Sequence, residues 1–167
     1  HMITSKNWLS FGGVYKLAAI MDDNGNFIPK IKLSENSEKV TNPGNKVIYR
    51  IYEKSSGKIK ADLIALAEET FSEDQPLLLF DPLEPWKKTL LEAGTYTIRE
   101  LMVPVFLNGE CVYTSPSVME IREYCMRELD TLWEETRRLV NPHLVYVDLS
   151  QKLYDTKIRL LDKWNTR

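Results

Sequence analysis

The hydrophobic period of this chain changes once, at Ser115-Pro116-Ser117. Upstream of that point apolar residues alternate with polar ones, as in KVIYRIYE, Lys46 to Glu53, where Val47, Tyr49 and Ile51 point one way and Ile48, Arg50 and Tyr52 the other. Downstream, Val118, Ile121, Cys125, Leu129, Leu132, Thr136 and Val140 recur at helical steps. A two-residue pattern does not rest as a helix, nor a helical pattern as a strand. The chain is therefore expected to be α+β, with residues 3–114 mainly strand and residues 115–167 mainly helix.

Turn chemistry divides the β part into antiparallel hairpins. GVYKLAAIM and FIPKIKL flank Asn24-Gly25, and KVIYRIYE and IKADLIAL flank KSSGK. WKKTLLEAGTYTIREL turns at Ala93-Gly94, and VPVFLNGECVY turns at Asn108-Gly109, the pair best suited to positive φ at both positions. Between them LLLF lies within Pro76 and Pro82 and is expected to be a short strand or edge piece. A sheet or partly open barrel followed by two C-terminal helices is the predicted architecture. The first helix opens on the capping box Ser117/Glu120, buries the face from Val118 to Val140 with Trp133 on its flank, and stops at Asn141-Pro142. The second is predicted from Asp148, with Gln151 in the box position, burying Leu149, Leu153, Ile158, Leu161 and Trp164.

Composition narrows the function. At 167 residues the chain can bury one core, and 22 basic against 24 acidic residues leave no overall attraction for nucleic acid or an anionic membrane. No apolar run approaches the ~20 residues of a membrane-spanning helix. His1-Met2 is read as an expression-vector remnant, with Ile3 as the first native residue and residues 3–167 as one domain cut from a longer protein. Two cysteines outside any metal-knuckle spacing suit a reduced, cytoplasmic setting.

Few residues suggest chemistry. His143 sits after Asn141-Pro142 without a nearby nucleophile and reads as a solvated or capping residue. Cys111 and Cys125 read as buried structural thiols, and the pairs Glu68-Glu69, Glu73-Asp74 and Glu134-Glu135 as solvated faces, since sequence neighbours diverge. Gly12-Gly13 is too short for a phosphate loop, and Trp8, Trp86, Trp133 and Trp164 are not interleaved with a basic stripe. IKLSENSEKVTNPGNK, Ile31 to Lys46, is the one cluster with plausible anion chemistry: Lys32, Lys39 and Lys46 bring charge, Ser34 and Asn42 bring hydrogen bonds, and Glu35 and Glu38 oppose the field. On composition alone it is a solvated loop.

Order adds what composition does not. FGGVYKL, a short hairpin and PKIKLSENSEKVTNPGNKVIYRIY, then Pro116-Ser117-Val118-Met119-Glu120-Ile121-Arg122 and Val147-Asp148-Leu149-Ser150, together resemble the C-terminal part of nicotinate phosphoribosyltransferase. The similar blocks run from about Ile3 to Lys157, corresponding to the last third of a family member. The resemblance implies a parent glycosyltransferase and ligase that forms nicotinate mononucleotide and pyrophosphate from nicotinate and 5-phosphoribosyl 1-pyrophosphate, with Mg²⁺ and coupled ATP hydrolysis, in NAD biosynthesis. It also implies that the catalytic segments lie elsewhere, so that this piece is inactive and holds no cofactor and no catalytic residue of its own. Its partners are then the remaining domains of the parent and, in the parent, a second subunit of a homodimer. Lys32, Ser34, Glu35 and Lys39 fit the family pattern K-x-S-[DE]-x-x-x-K and are expected to contact a phosphate-bearing ligand or to fix a domain junction by salt bridges. The competing reading is a free-standing protein-interaction or regulatory module without enzymatic activity; a further one is a domain that regulates or assembles the parent, its apolar residues near Trp8, Leu9 and Phe11 exposed by truncation.

Overall fold

The computed structural model describes residues 15–36, 39–82, 84 and 86–165. The expectations resting on Ile3, Trp8, Leu9, Phe11, Gly12-Gly13, Glu38 and the Trp164 side chain fall outside them.

The fold is α+β. Strands β1 (Ala19–Met21) and β2 (Phe27–Pro29) form a small hairpin. The main sheet takes β3 (Lys46–Glu53), β4 (Ile59–Leu66), β5 (Leu77–Phe80), β6 (Lys88–Leu91) and β7 (Tyr96–Glu100). A second small hairpin, β8 (Phe106–Leu107) and β9 (Glu110–Cys111), turns on Asn108 and Gly109 with φ of 51° and 85°, as that pair predicts. Then come α1 (Val118–Asp130), the single turn α2 (Glu134–Arg137), β10 (Tyr146–Leu149) and α3 (Gln151–Asn165).

The main sheet has the order β6-β5-β10-β4-β3-β7. Its two outermost strands are consecutive in sequence, and only residues 92–95 join them. Five Cα steps span at most about 17 Å, whereas the edges of a flat six-stranded sheet lie about 24 Å apart. The sheet must curl. Ile51, Ala61, Leu63, Ala65, Leu77, Leu79, Leu91 and Tyr96 fill the inside of the curl as one buried cluster. Each large member contributes about 1.5–3 kcal/mol by leaving water.

Three expectations change here. Ala93-Gly94 does turn the chain, but β6 and β7 pair with β5 and β3 rather than with each other. LLLF is a short strand, yet it lies inside the sheet, between β6 and β10. Residues 146–149 do not open a helix: they form β10, parallel to β4 and inserted between β4 and β5. Asp148 is thus a strand residue, and the helix cap falls to Ser150, whose Oγ accepts from Leu153 N at 3.2 Å.

Of the two long helices only α3 buries apolar residues as expected. α3 packs Leu153 against Leu66 and Leu149 on the outer face, and its Tyr154 stacks on Phe80 with ring centroids 5.3 Å apart. α1 has its capping box, Ser117 with Glu120, but ends at Asp130 and buries no residue; Val118 is 81% exposed and Val140 75%. The sheet surface under it explains this. The outer face of β7, β3 and β4 presents Arg99, Arg50 and Asp62, so α1 is held by charge: Glu128 accepts from Arg99 at 2.9 and 2.7 Å and from Arg50 at 3.4 Å. Its C-terminal end is fixed to the Ile59 backbone, whose N–H donates to Thr131 O at 2.8 Å and whose carbonyl accepts from the Trp133 side chain Nε1 at 2.7 Å. With α1 lifted off the core, Cys125 is exposed, and Cys111 on β9 is exposed as well, contrary to the buried-thiol expectation.

Candidate functional site at the mouth of the curled sheet

Residue parity decides what faces the inside of the curl. In the parallel pair Asp148 lies opposite Leu63 and Tyr146 opposite Ala61, so both share the inner face, while Leu149 shares the outer face with Ile64. Continuing β5, Asp81 follows Leu79 at the inner parity. The result is a cleft of about 690 Å³ at one end of the curl, lined by Asp148, Asp81, Trp86, Lys60, Trp133 and Leu79 among others.

Asp148 is the chemical centre of this cleft. It is 7% exposed, and its carboxyl has no hydrogen bond or ion pair with the described residues. Burial first, and the negative charge of Asp81 second, push its pKa up to about 6. It can therefore accept or donate a proton near neutrality. The lysines around it are already engaged: Lys60 lies 3.5 Å from Glu53, Lys87 pairs with Glu84, and Lys88 sits 5.1 Å over the Phe80 ring. Trp86 leaves its indole 73% exposed at the rim. Among the described residues no group of three or more His, Cys, Asp or Glu side chains is placed to hold a metal ion.

The residues singled out in the sequence lie elsewhere. Lys32 lines a shallow groove beside Lys16 and Lys30. Ser34 accepts a bond from Asn36 N at 3.3 Å, and Lys39 is tied through its backbone, its carbonyl accepting from Lys16 Nζ at 2.5 Å and its amide donating to Asn36 O at 3.0 Å. All of Lys32, Ser34, Glu35 and Lys39 are exposed. The end of the same segment is different in kind. Pro43 and Gly44 are buried, Lys157 of α3 donates to Asn42 Oδ1 at 2.9 Å, and Lys46 donates to Gly44 O at 2.6 Å. Burial lowers the pKa of both lysines. The segment thus holds an exposed basic half and a structural half locked to α3.

Two further residues were misread. Glu69 is not a solvated neighbour of Glu68; its Oε2 accepts from Ser150 Oγ at 2.6 Å and Leu66 N at 2.8 Å. Asp148 carried a signal in the apolar-polar-apolar run Val147-Asp148-Leu149, which has the period of a strand. His143 is exposed in the link before β10, as expected.

A curled mixed sheet with one helix seated on its outside, and a cleft with a buried carboxylate, defines an α+β domain. Sequence and structure comparisons identify its kind. The sequence model of the nicotinate phosphoribosyltransferase C-terminal domain matches residues 45–157. Nicotinate phosphoribosyltransferase of Bacillus subtilis (strain 168) is 32% identical over 99% of this chain, and that of Caenorhabditis elegans 34% identical over 92%. The crystal structure of human nicotinic acid phosphoribosyltransferase superposes with a TM-score of 0.60 at 25% identity, over 71% of this chain and 23% of that one. The chain belongs to the nicotinate phosphoribosyltransferase family and carries its C-terminal domain. It spans 33% of the Bacillus subtilis relative and 26% of the Caenorhabditis elegans one. Among the described residues no helix is long and apolar enough to cross a membrane.

Proposed function

We propose that this chain serves as the non-catalytic C-terminal domain of a cytoplasmic, homodimeric nicotinate phosphoribosyltransferase, which joins nicotinate to 5-phosphoribosyl 1-pyrophosphate and releases pyrophosphate with coupled ATP hydrolysis and Mg²⁺. The family match over residues 45–157, in a chain spanning a third of its Bacillus subtilis relative, carries the reading. In glycosyl transfer of this kind, stabilising the charge of the departing pyrophosphate is the main electrostatic task. A turnover assay on the chain alone, with nicotinate, 5-phosphoribosyl 1-pyrophosphate, Mg²⁺ and ATP, is expected to give background rates only. Nicotinate mononucleotide formation above background overturns the assignment.

Lys32, Ser34, Glu35 and Lys39 are proposed to act at the junction between this domain and the rest of the parent. Their exposure in the isolated chain supports that reading. Lys32→Ala and Lys39→Ala in the full enzyme are expected to lower its thermal stability with Michaelis constants unchanged; a raised constant for a phosphate-bearing substrate at constant stability assigns them to ligand contact instead.

A further inference from the structure

The buried carboxylate in the cleft has no assigned purpose, and its surroundings select a ligand. The other charged groups lining the cleft have partners: Lys60 on β4 and Glu53 on β3 offset each other at 3.5 Å, Lys87 in the β5–β6 link has Glu84 and the charge of Asp81, and Lys88 on β6 covers Phe80. What remains uncompensated is the Asp148 carboxylate. Asp148 is more than nine-tenths buried, lines the cleft, and is unpartnered among the described residues. Beside it stand the open indole face of Trp86 and the apolar wall of Leu79 and Leu91.

We propose that the cleft is a binding site for a guanidinium group on an aliphatic stem, seated on the Asp148 carboxylate and stacked against Trp86. A planar guanidinium offers paired donors that match a carboxylate, and it is weakly enough hydrated to enter a half-buried site and stack on indole. An ammonium fits less well, because a compact, strongly hydrated charge loses more water and gains no stacking. The apolar wall takes the methylene stem. Two sources share this chemistry: a free arginine-like metabolite, and an arginine side chain displayed on a polypeptide.

The test is a titration of the chain with methylguanidinium, L-arginine, N-acetyl-arginine methylamide and n-butylamine. Trp86 fluorescence and the carboxyl ¹³C shift of Asp148 are followed together. Saturable binding is expected for the guanidinium compounds and weaker binding for butylamine, with the Asp148 titration moving to lower pH as the site fills. Affinity falls about tenfold between roughly pH 7.5 and pH 5 as Asp148 takes up its proton. Preference for the capped arginine assigns the site to a polypeptide arginine, and preference for free arginine to a metabolite. Asp148→Asn is expected to weaken binding at least tenfold, and Trp86→Ala, at an exposed position, to weaken it with the fold intact. If Asp148→Asn does not fold, the carboxyl titration of the unaltered chain still decides. Absence of saturation, an Asp148 titration that ligand does not move, or equal binding by folded Asp148→Asn overturns the proposal.

Discussion

Ser150 donates its hydroxyl proton to Glu69 at 2.6 Å, joining the start of α3 to the loop that leaves β4. The same Glu69 oxygen accepts from Leu66 N, and the same Ser150 oxygen caps Leu153 N. One serine thus ends β10, opens α3 and anchors both. Ser150→Ala removes the cap and leaves Glu69 short of a donor, at an expected cost of about 1–3 kcal/mol in urea unfolding. A loss below a few tenths would show that α3 holds by apolar packing alone.

Glu128 is the main side-chain clamp between α1 and the sheet. The Arg99 bonds first, then the Arg99 and Arg50 charges, hold its pKa below the ordinary value. A carboxylate of lowered pKa stabilises the fold above its unfolded pKa, and that stabilisation is lost as pH falls through the folded value. Glu128→Gln is therefore expected to cost about 1 kcal/mol at neutral pH, discounted for the partly exposed Arg99, and less in acid. Amide exchange should rise across residues 118–130 and leave β3 and β4 unchanged.

Asp148 works in the opposite sense. Its folded pKa, about 6, lies above the ordinary carboxylate value, so its contribution is fully present below about pH 4 and is lost as pH rises through 6. Asp148→Asn should flatten the pH dependence of the melting temperature across that window and raise stability at pH 7, by at most about 3 kcal/mol. Unchanged slope between pH 4 and 6 would place its titration outside this range.

Gly44 has φ of +96°, and a Cβ there would lie 2.5 Å from Leu66 Cδ2. Both the backbone and the space select glycine. Gly44→Ala is expected to destabilise by about 2–4 kcal/mol, combining left-handed strain with displacement of a core leucine. Gly25→Ala, at φ +82° in open space, should cost only about 1 kcal/mol, and the difference measured by denaturant isolates the steric part.

Local chemistry made much of the fold legible. Asn24-Gly25, KSSGK and Asn108-Gly109 turn where their positive-φ glycines require, and β3 and β4 have the bounds their alternation predicts. The Ser117/Glu120 capping box starts α1 where it was placed. The cleft was much less legible, because Asp81, Trp86 and Asp148 come from separate segments and meet only through strand order. Periodicity also overstated α1, since an apolar stripe says that a face can be covered and not that it is.

By itself, then, the sequence determined which segments before residue 115 are strands and turns, where the helical part begins, and to which family the ordered blocks belong. These follow from φ preferences, side-chain parity and capping, all settled within a few residues. Tertiary structure decided that β10 inserts between β4 and β5, that β6 and β7 part to opposite edges, and that Asp148 faces inward rather than capping a helix. Those outcomes depend on pairing segments distant in the chain, Tyr146 with Ala61 and Tyr49 with Glu100, and a strand's parity gains an inside only when its neighbours are in place.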